Sequence, residues 1–149
     1  MVSTYTTNKN IEKPGNNDYI GNWNVPVNAD WDIIDKALGS AVSYTLTNSN
    51  QTVSTTDAQN QRINLSGTLS ANVQLILPSD IGGMWVIVNN CVGAYTVTVT
   101  TASSTYIVIP PNGYTTLVYS DGTNIFLADS QSQTVSISAN IPLILMLGG

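Results

Sequence analysis

Hydrophobic residues in this chain are mostly spaced two apart or gathered in short runs, and they recur at helical spacing in one place. Tyr95-Thr96-Val97-Thr98-Val99-Thr100 alternates strictly, which sets Tyr95, Val97 and Val99 on one face of a half-buried strand and threonines on the other. Val73-Gln74-Leu75-Ile76-Leu77 and Met84-Trp85-Val86-Ile87-Val88 are almost continuously apolar, the pattern of strands covered on both faces. Further strand signals fall over 43–47, 62–65, 106–109, 115–120, 124–128, 134–138 and 142–146, and those around the three segments just named extend over 73–77, 84–89 and 95–101. Between 47 and 61 lies a polar connection with room for one more strand.

Turn formers separate these runs: Ser66-Gly67, Pro78-Ser79-Asp80, Gly82-Gly83, Pro110-Pro111-Asn112-Gly113 and Asp121-Gly122. Asp121-Gly122 between two strand-like runs is a hairpin signal. Short strands at a spacing of about ten residues predict a mainly β fold, an antiparallel β-sandwich or jelly-roll-like module.

The first part of the chain reads differently. It opens on Ser, Thr and Asn, continues through Pro14-Gly15-Asn16-Asn17 and Val25-Pro26, and shows no apolar period before residue 28, so it is expected to be an extended arm. One short helix is predicted over 28–39. Asn28 would cap its free amides, early carboxylates would complement the positive end of the dipole, and Gly39 would end it. Trp31, Ile34 and Leu38 would share a face.

Composition supports the β reading. Of 149 residues, 42% are hydrophobic and only 9% charged, against roughly 25% charged in an average domain. Ser, Thr and Asn supply the missing polarity, and these side chains favour turns and pleated surfaces over helix interiors. Charge is also confined: Lys9, Glu12, Lys13, Asp18, Asp30, Asp32, Asp35 and Lys36 precede residue 37, and only Asp57, Arg62, Asp80, Asp121 and Asp129 follow. The boundary divides the chain into an anchoring segment, residues 1–40, and a β module, residues 41–149.

A net charge of −5 with four Lys and Arg residues argues against nucleic acid as a partner, because phosphate binding needs clustered cations. With no histidine and a single cysteine, Cys91, Ser-His and Cys-His nucleophiles and histidine-based metal sites are excluded, and Cys91 reads as a small buried hydrophobe. Asp30, Asp32 and Asp35 lack the spacing of a calcium loop and read as dipole partners. Asp80 and Asp121 each sit in a turn signature, and Gly82-Gly83 lacks the lysine of a phosphate loop. The expectation is therefore a protein that is not an enzyme and has no cofactor. Met1 to Asn10 has no apolar signal core, and no run approaches the roughly 20 residues that cross a bilayer, so neither secretion nor a membrane partner is expected.

The run Ile141-Pro142-Leu143-Ile144-Leu145-Met146-Leu147 is apolar without alternation. Left exposed, such a segment aggregates, so Ile141, Leu143, Leu145 and Leu147 are expected at a subunit interface.

Two stretches carry a resemblance. Glu12-Lys13-Pro14-Gly15-Asn16-Asn17-Asp18-Tyr19-Ile20-Gly21-Asn22-Trp23, continuing to Ile34-Asp35, resembles the N-terminal attachment segment of tailed-bacteriophage tail fibres and related virion proteins. The stretch from Ile63-Asn64-Leu65-Ser66-Gly67 through Leu77-Pro78 and Gly82-Gly83-Met84-Trp85 to Asp121-Gly122-Thr123-Asn124 is similar to β modules of the same proteins. The resemblance implies a bacteriophage virion structural protein, made in the host cytoplasm, that anchors to the particle through Pro14, Tyr19, Gly21, Trp23, Asn28, Trp31 and Ile34. No repetitive fibre shaft follows the attachment segment. That favours a capsid decoration or cement protein, implied to be a homotrimer bound to the major capsid protein or a tail protein. The alternatives are a short tail-fibre or tail-adaptor subunit, and a carbohydrate-binding module for a host surface, since Tyr19, Trp23 and Trp31 lie close together and aromatic rings stack on sugars.

Overall fold

A computed structural model describes residues 2–6, 9–103 and 105–128 of the chain. It is mainly β, as expected, with one helix. After a two-stranded piece, β1 (Thr4–Tyr5) and β2 (Glu12–Lys13), comes the helix α1 (Asn24–Gly39). Nine strands follow: β3 (Ala41–Thr45), β4 (Gln51–Thr52), β5 (Arg62–Ser66), β6 (Val73–Ile76), β7 (Gly82–Asn89), β8 (Val97–Thr100), β9 (Tyr106–Ile109), β10 (Tyr114–Asp121) and β11 (Ile125–Leu127).

These nine strands form two sheets, and from β3 to β8 the chain alternates between them. One sheet has the order β11-β10-β7-β5-β3 and the other β4-β6-β8-β9. Successive strands of each sheet therefore pair in parallel: β3 with β5, β5 with β7, β4 with β6, and β6 with β8. Antiparallel pairing, expected throughout, is confined to β8–β9, β7–β10 and β10–β11 of the module. The physical reason is that each strand crosses to the opposite sheet instead of turning back, so a neighbour in the sheet arrives one full coil later. The antiparallel strands then close the stack.

Small residues fix the coil corners. Asn50 Oδ1 accepts from the Gln74 amide at 2.9 Å and Asn72 Oδ1 from the Thr96 amide at 2.9 Å, each across 24 residues. At the same end, Gly67 (φ +124°) lies over the backbone of Leu46 and Gly93 (φ +116°) over that of Leu69; an added Cβ would stand 2.3 and 2.6 Å from the two carbonyl oxygens. Only glycine accepts both the conformation and the approach.

The core lies between the two sheets. Ile63, Leu65, Trp85, Ile87, Val118 and Ile125 from one sheet meet Val73, Leu75, Val97, Val99 and Ile109 from the other. Cys91 is buried with them, and burial pushes its thiol pKa up. Asn89 is a polar residue buried completely among them. It donates to the carbonyls of Ile109 (3.2 Å) and Pro110 (2.9 Å) and accepts from the Cys91 amide (3.1 Å), which ties the β9–β10 crossing to β7.

Several expectations are corrected in detail. Tyr95 precedes β8 and is exposed, so only Val97 and Val99 of that alternating stretch enter the core. Gly82-Gly83 begins β7 and is not a turn; a Cβ on Gly83 would meet Lys9 Nζ and the Trp85 ring at 3.1–3.2 Å, so the missing side chain makes room for both. The apolar runs in β6 and β7 are buried on one side only among the described residues: Val73, Leu75, Trp85 and Ile87 point in, while Met84 is exposed and Val86 and Val88 half-buried. The strands expected over 134–138 and 142–146, together with Ile141, Leu143, Leu145 and Leu147, lie outside the described residues.

Candidate attachment surface

The stretch read as an extended arm folds back on itself. Thr4 and Tyr5 pair with Lys13 and Glu12, and the intervening loop is closed by Thr6 N to Ile11 O and Ile11 N to Thr6 Oγ1, both 2.9 Å. Next, Asp18 organises the Pro14–Asp18 turn. Its carboxylate accepts from Gly15 N (2.9 Å) and Ser3 Oγ (3.0 Å), while its own amide donates to Gly15 O (3.0 Å). The chain turns again at Tyr19 (φ 56°) and Gly21 (φ 79°), with Asn22 N donating to Tyr19 O at 2.8 Å. A tyrosine in the left-handed region costs energy. Here its hydroxyl is held by Glu12 Oε1 at 2.9 Å, the main reason its pKa is raised.

The helix begins earlier than expected. Trp23 occupies the N-cap position without a side-chain cap bond, and Asn28 lies in the second turn, exposed, where it caps nothing. Pro26 explains the shift: it fits the first turn, where the missing amide hydrogen has no intrahelical partner to lose, and it is the one buried residue of the helix. Asp30 also differs from expectation. It does not face the dipole but accepts from the Glu12 amide at 2.8 Å, joining hairpin to helix.

Several large apolar residues of the segment remain exposed among its polar ones. Ile34 is half-buried, but Trp31 (63% exposed) and Leu38 (73%) are exposed, about two turns apart on the helix. Ile20, Trp23 and Val25 before and at the helix start are exposed as well. Five exposed large apolar residues within nineteen positions of chain, two of them tryptophans, make this segment the candidate for contact with a partner. Of the seven anchoring residues named from the sequence, Tyr19, Trp23 and Trp31 stand exposed on it, and Pro14 and Asn28 are exposed without a described side-chain bond. Gly21 supplies the turn, and Ile34 is half-buried.

Lys9, which the sequence did not single out, ties the segment to the β body. Its ammonium lies 5.1 Å from the centre of the Trp85 ring and donates to Ala58 O at 3.5 Å, and burial lowers its pKa. At the other end, the amides of Ser40 and Gln61 both donate to Lys36 O, at 3.2 and 3.1 Å, and Arg62 N donates to Ser40 O at 3.1 Å. The signal available for Lys9 was Gly82-Gly83, two residues without side chains beside a tryptophan.

Other polar groups are committed to local structure. Asp121 Oδ1 accepts from Asn124 N (2.7 Å) and Thr123 N (2.9 Å), which lowers its pKa and shapes the β10–β11 hairpin predicted from Asp121-Gly122. Asp80 (φ 65°) holds its turn against Gly122 O at 2.7 Å. Among the described residues no group of three or more His, Cys, Asp or Glu is placed to hold a metal ion, and no helix is long and apolar enough to cross a membrane. Comparison with protein-family models, with curated proteins and with solved structures finds no match to this chain.

Proposed function

We propose that this chain is a non-enzymatic structural protein of a bacteriophage virion, a capsid decoration or cement protein. Residues 1–40 attach it to the particle, and the β module, assembled as a homotrimer, reinforces the shell. The observation that carries the reading is the set of exposed large apolar residues Ile20, Trp23, Val25, Trp31 and Leu38 on a segment whose hairpin and turn are held by Asp18, Glu12 and Asp30. Such a surface gains by being covered, at about 25 cal/mol per Å² of apolar area. Aromatic anchors of this kind dominate interface energies.

The groove beside it, lined by Tyr5, Glu12, Asp18 and Tyr19 among others, weakens the sugar-binding alternative. Glu12 and Asp18 are occupied by Tyr19, Ser3 and Gly15. Copy number separates the shell from the tail. Quantitative mass spectrometry of purified particles should find this chain at an abundance approaching that of the major capsid protein; a tail subunit would occur at a small fraction of it. Deleting residues 141–149 should lower the oligomeric state in light scattering, and an unchanged oligomer removes the interface assignment of Ile141, Leu143, Leu145 and Leu147.

A further inference from the structure

The outer face of the sheet at β7, β10 and β11 is apolar and has no cover among the described residues. Met84 of β7 pairs with Tyr119 of β10, and Val86 with Leu117. Tyr119 in turn stacks on Phe126 of β11 with ring centroids 4.8 Å apart. Met84 is 54% and Tyr119 40% exposed, and Val86, Val88, Leu117 and Phe126 are half-buried. The face is continuous across three strands, with a groove beside Val86 and Leu117. It belongs to different elements from the exposed apolar residues of the N-terminal segment.

The course of the chain points to what covers it. Ala128 donates its amide to Leu117 O at 2.9 Å and lines the same groove, so the segment after residue 128 starts at this face. Residues 129–140 can span about 40 Å at roughly 3.3 Å each, more than the length of the eight-residue strand β7. Beyond them comes Ile141 to Leu147, with no polar side chain in it. A run apolar on every side keeps half its surface in water when laid on one sheet face. With a reach longer than the sheet face, that run can cross to the same face of a neighbouring copy and be buried between the two chains.

We propose that this face is an interface between copies of the chain, and that its occupant is residues 141–147 of a neighbouring copy. The inference rests on the oligomeric reading above and adds the receiving surface to it. The full-length protein offers a direct test, because Cys91 is buried and leaves no accessible thiol among the described residues. Chains carrying Val86→Cys with one affinity tag and Leu145→Cys with another are co-expressed and oxidised. A disulfide-linked species bearing both tags, absent when wild-type chains are treated alike, is the expected result. Leu117→Cys with Leu143→Cys serves as a second pair should the first variant fail to fold.

Light scattering on the wild type separates the failures. An oligomer without a mixed-tag product for either pair overturns the assignment of this face and leaves the oligomer standing. A bond formed only within single chains of the Val86→Cys/Leu145→Cys double variant overturns it equally, since the occupant would then be the chain's own tail. A monomeric wild type overturns the oligomeric reading and this inference with it.

Discussion

Lys9 and Trp85 meet across the junction of the N-terminal segment and the β body: the ammonium lies 5.1 Å from the ring centre, and both side chains donate to the carbonyl of Ala58, at 3.5 and 2.9 Å. The indole fills the core, so the lysine docks on a rigid part of the fold. Gly83 leaves the space for it.

Lys9→Ala should therefore release the hairpin while leaving the core intact. The expected cost is about 1 kcal/mol, the size of a partly desolvated cation–π contact. Limited proteolysis should cut more rapidly between residues 2 and 20, and urea unfolding should shift slightly. Lys13→Ala, on the exposed side of β2, should change neither.

The coil corners give a sharper effect. Gly67→Ala places a methyl group 2.3 Å from Leu46 O in a backbone conformation of φ +124°. A loss of about 2–4 kcal/mol is expected in chemical denaturation, from strain and a forced shift of the coil. Gly93→Ala, 2.6 Å from Leu69 O, should behave likewise. Gly39→Ala has open space and no positive φ, so it should be neutral or stabilise by up to about 1 kcal/mol.

Tyr44 supplies a pH dependence. Its hydroxyl donates to Asp57 Oδ2 at 2.7 Å, and burial followed by that carboxylate raises its pKa well above the ordinary value. The folded chain holds the phenol proton more tightly than the unfolded chain. This contribution is complete below about pH 10, and it is lost as pH rises above that value toward the raised pKa. At neutral pH Tyr44→Phe should cost about 1 kcal/mol. The difference between wild type and Tyr44→Phe, followed by denaturation from pH 7 to 11, should shrink at the alkaline end.

Strand positions were largely legible in the sequence, because alternation and turn residues are local signals. The predicted 62–65, 106–109 and 115–120 lie within β5, β9 and β10. Pairing was not legible. Whether Val73 meets a strand turned back on it or Val97 a full coil later depends on how Asn50, Gly67, Asn72 and Gly93 bend the chain, and alternation is the same in both cases. The helix start was misjudged because Asn28 is a good cap in isolation, whereas Pro26 and the turn at Tyr19–Asn22 begin the helix before it. Within the proposed attachment surface, Trp23 and Trp31 were named from the sequence, and both are exposed. The roles of Lys9 and Asp30 were not legible, since each acts on a partner, Trp85 or the Glu12 amide, that only the fold brings near.

The proposed role of the exposed Trp23 and Trp31 is the central claim, and particle incorporation tests it most directly. Trp23 and Trp31 are 70% and 63% exposed, so a Trp23→Ala/Trp31→Ala protein should fold and melt as the wild type does. Its copy number on purified particles, against wild-type chain supplied at the same level, should fall at least about tenfold, equivalent to roughly 1.4 kcal/mol of lost attachment. Incorporation at the wild-type level by the folded double variant would contradict the account.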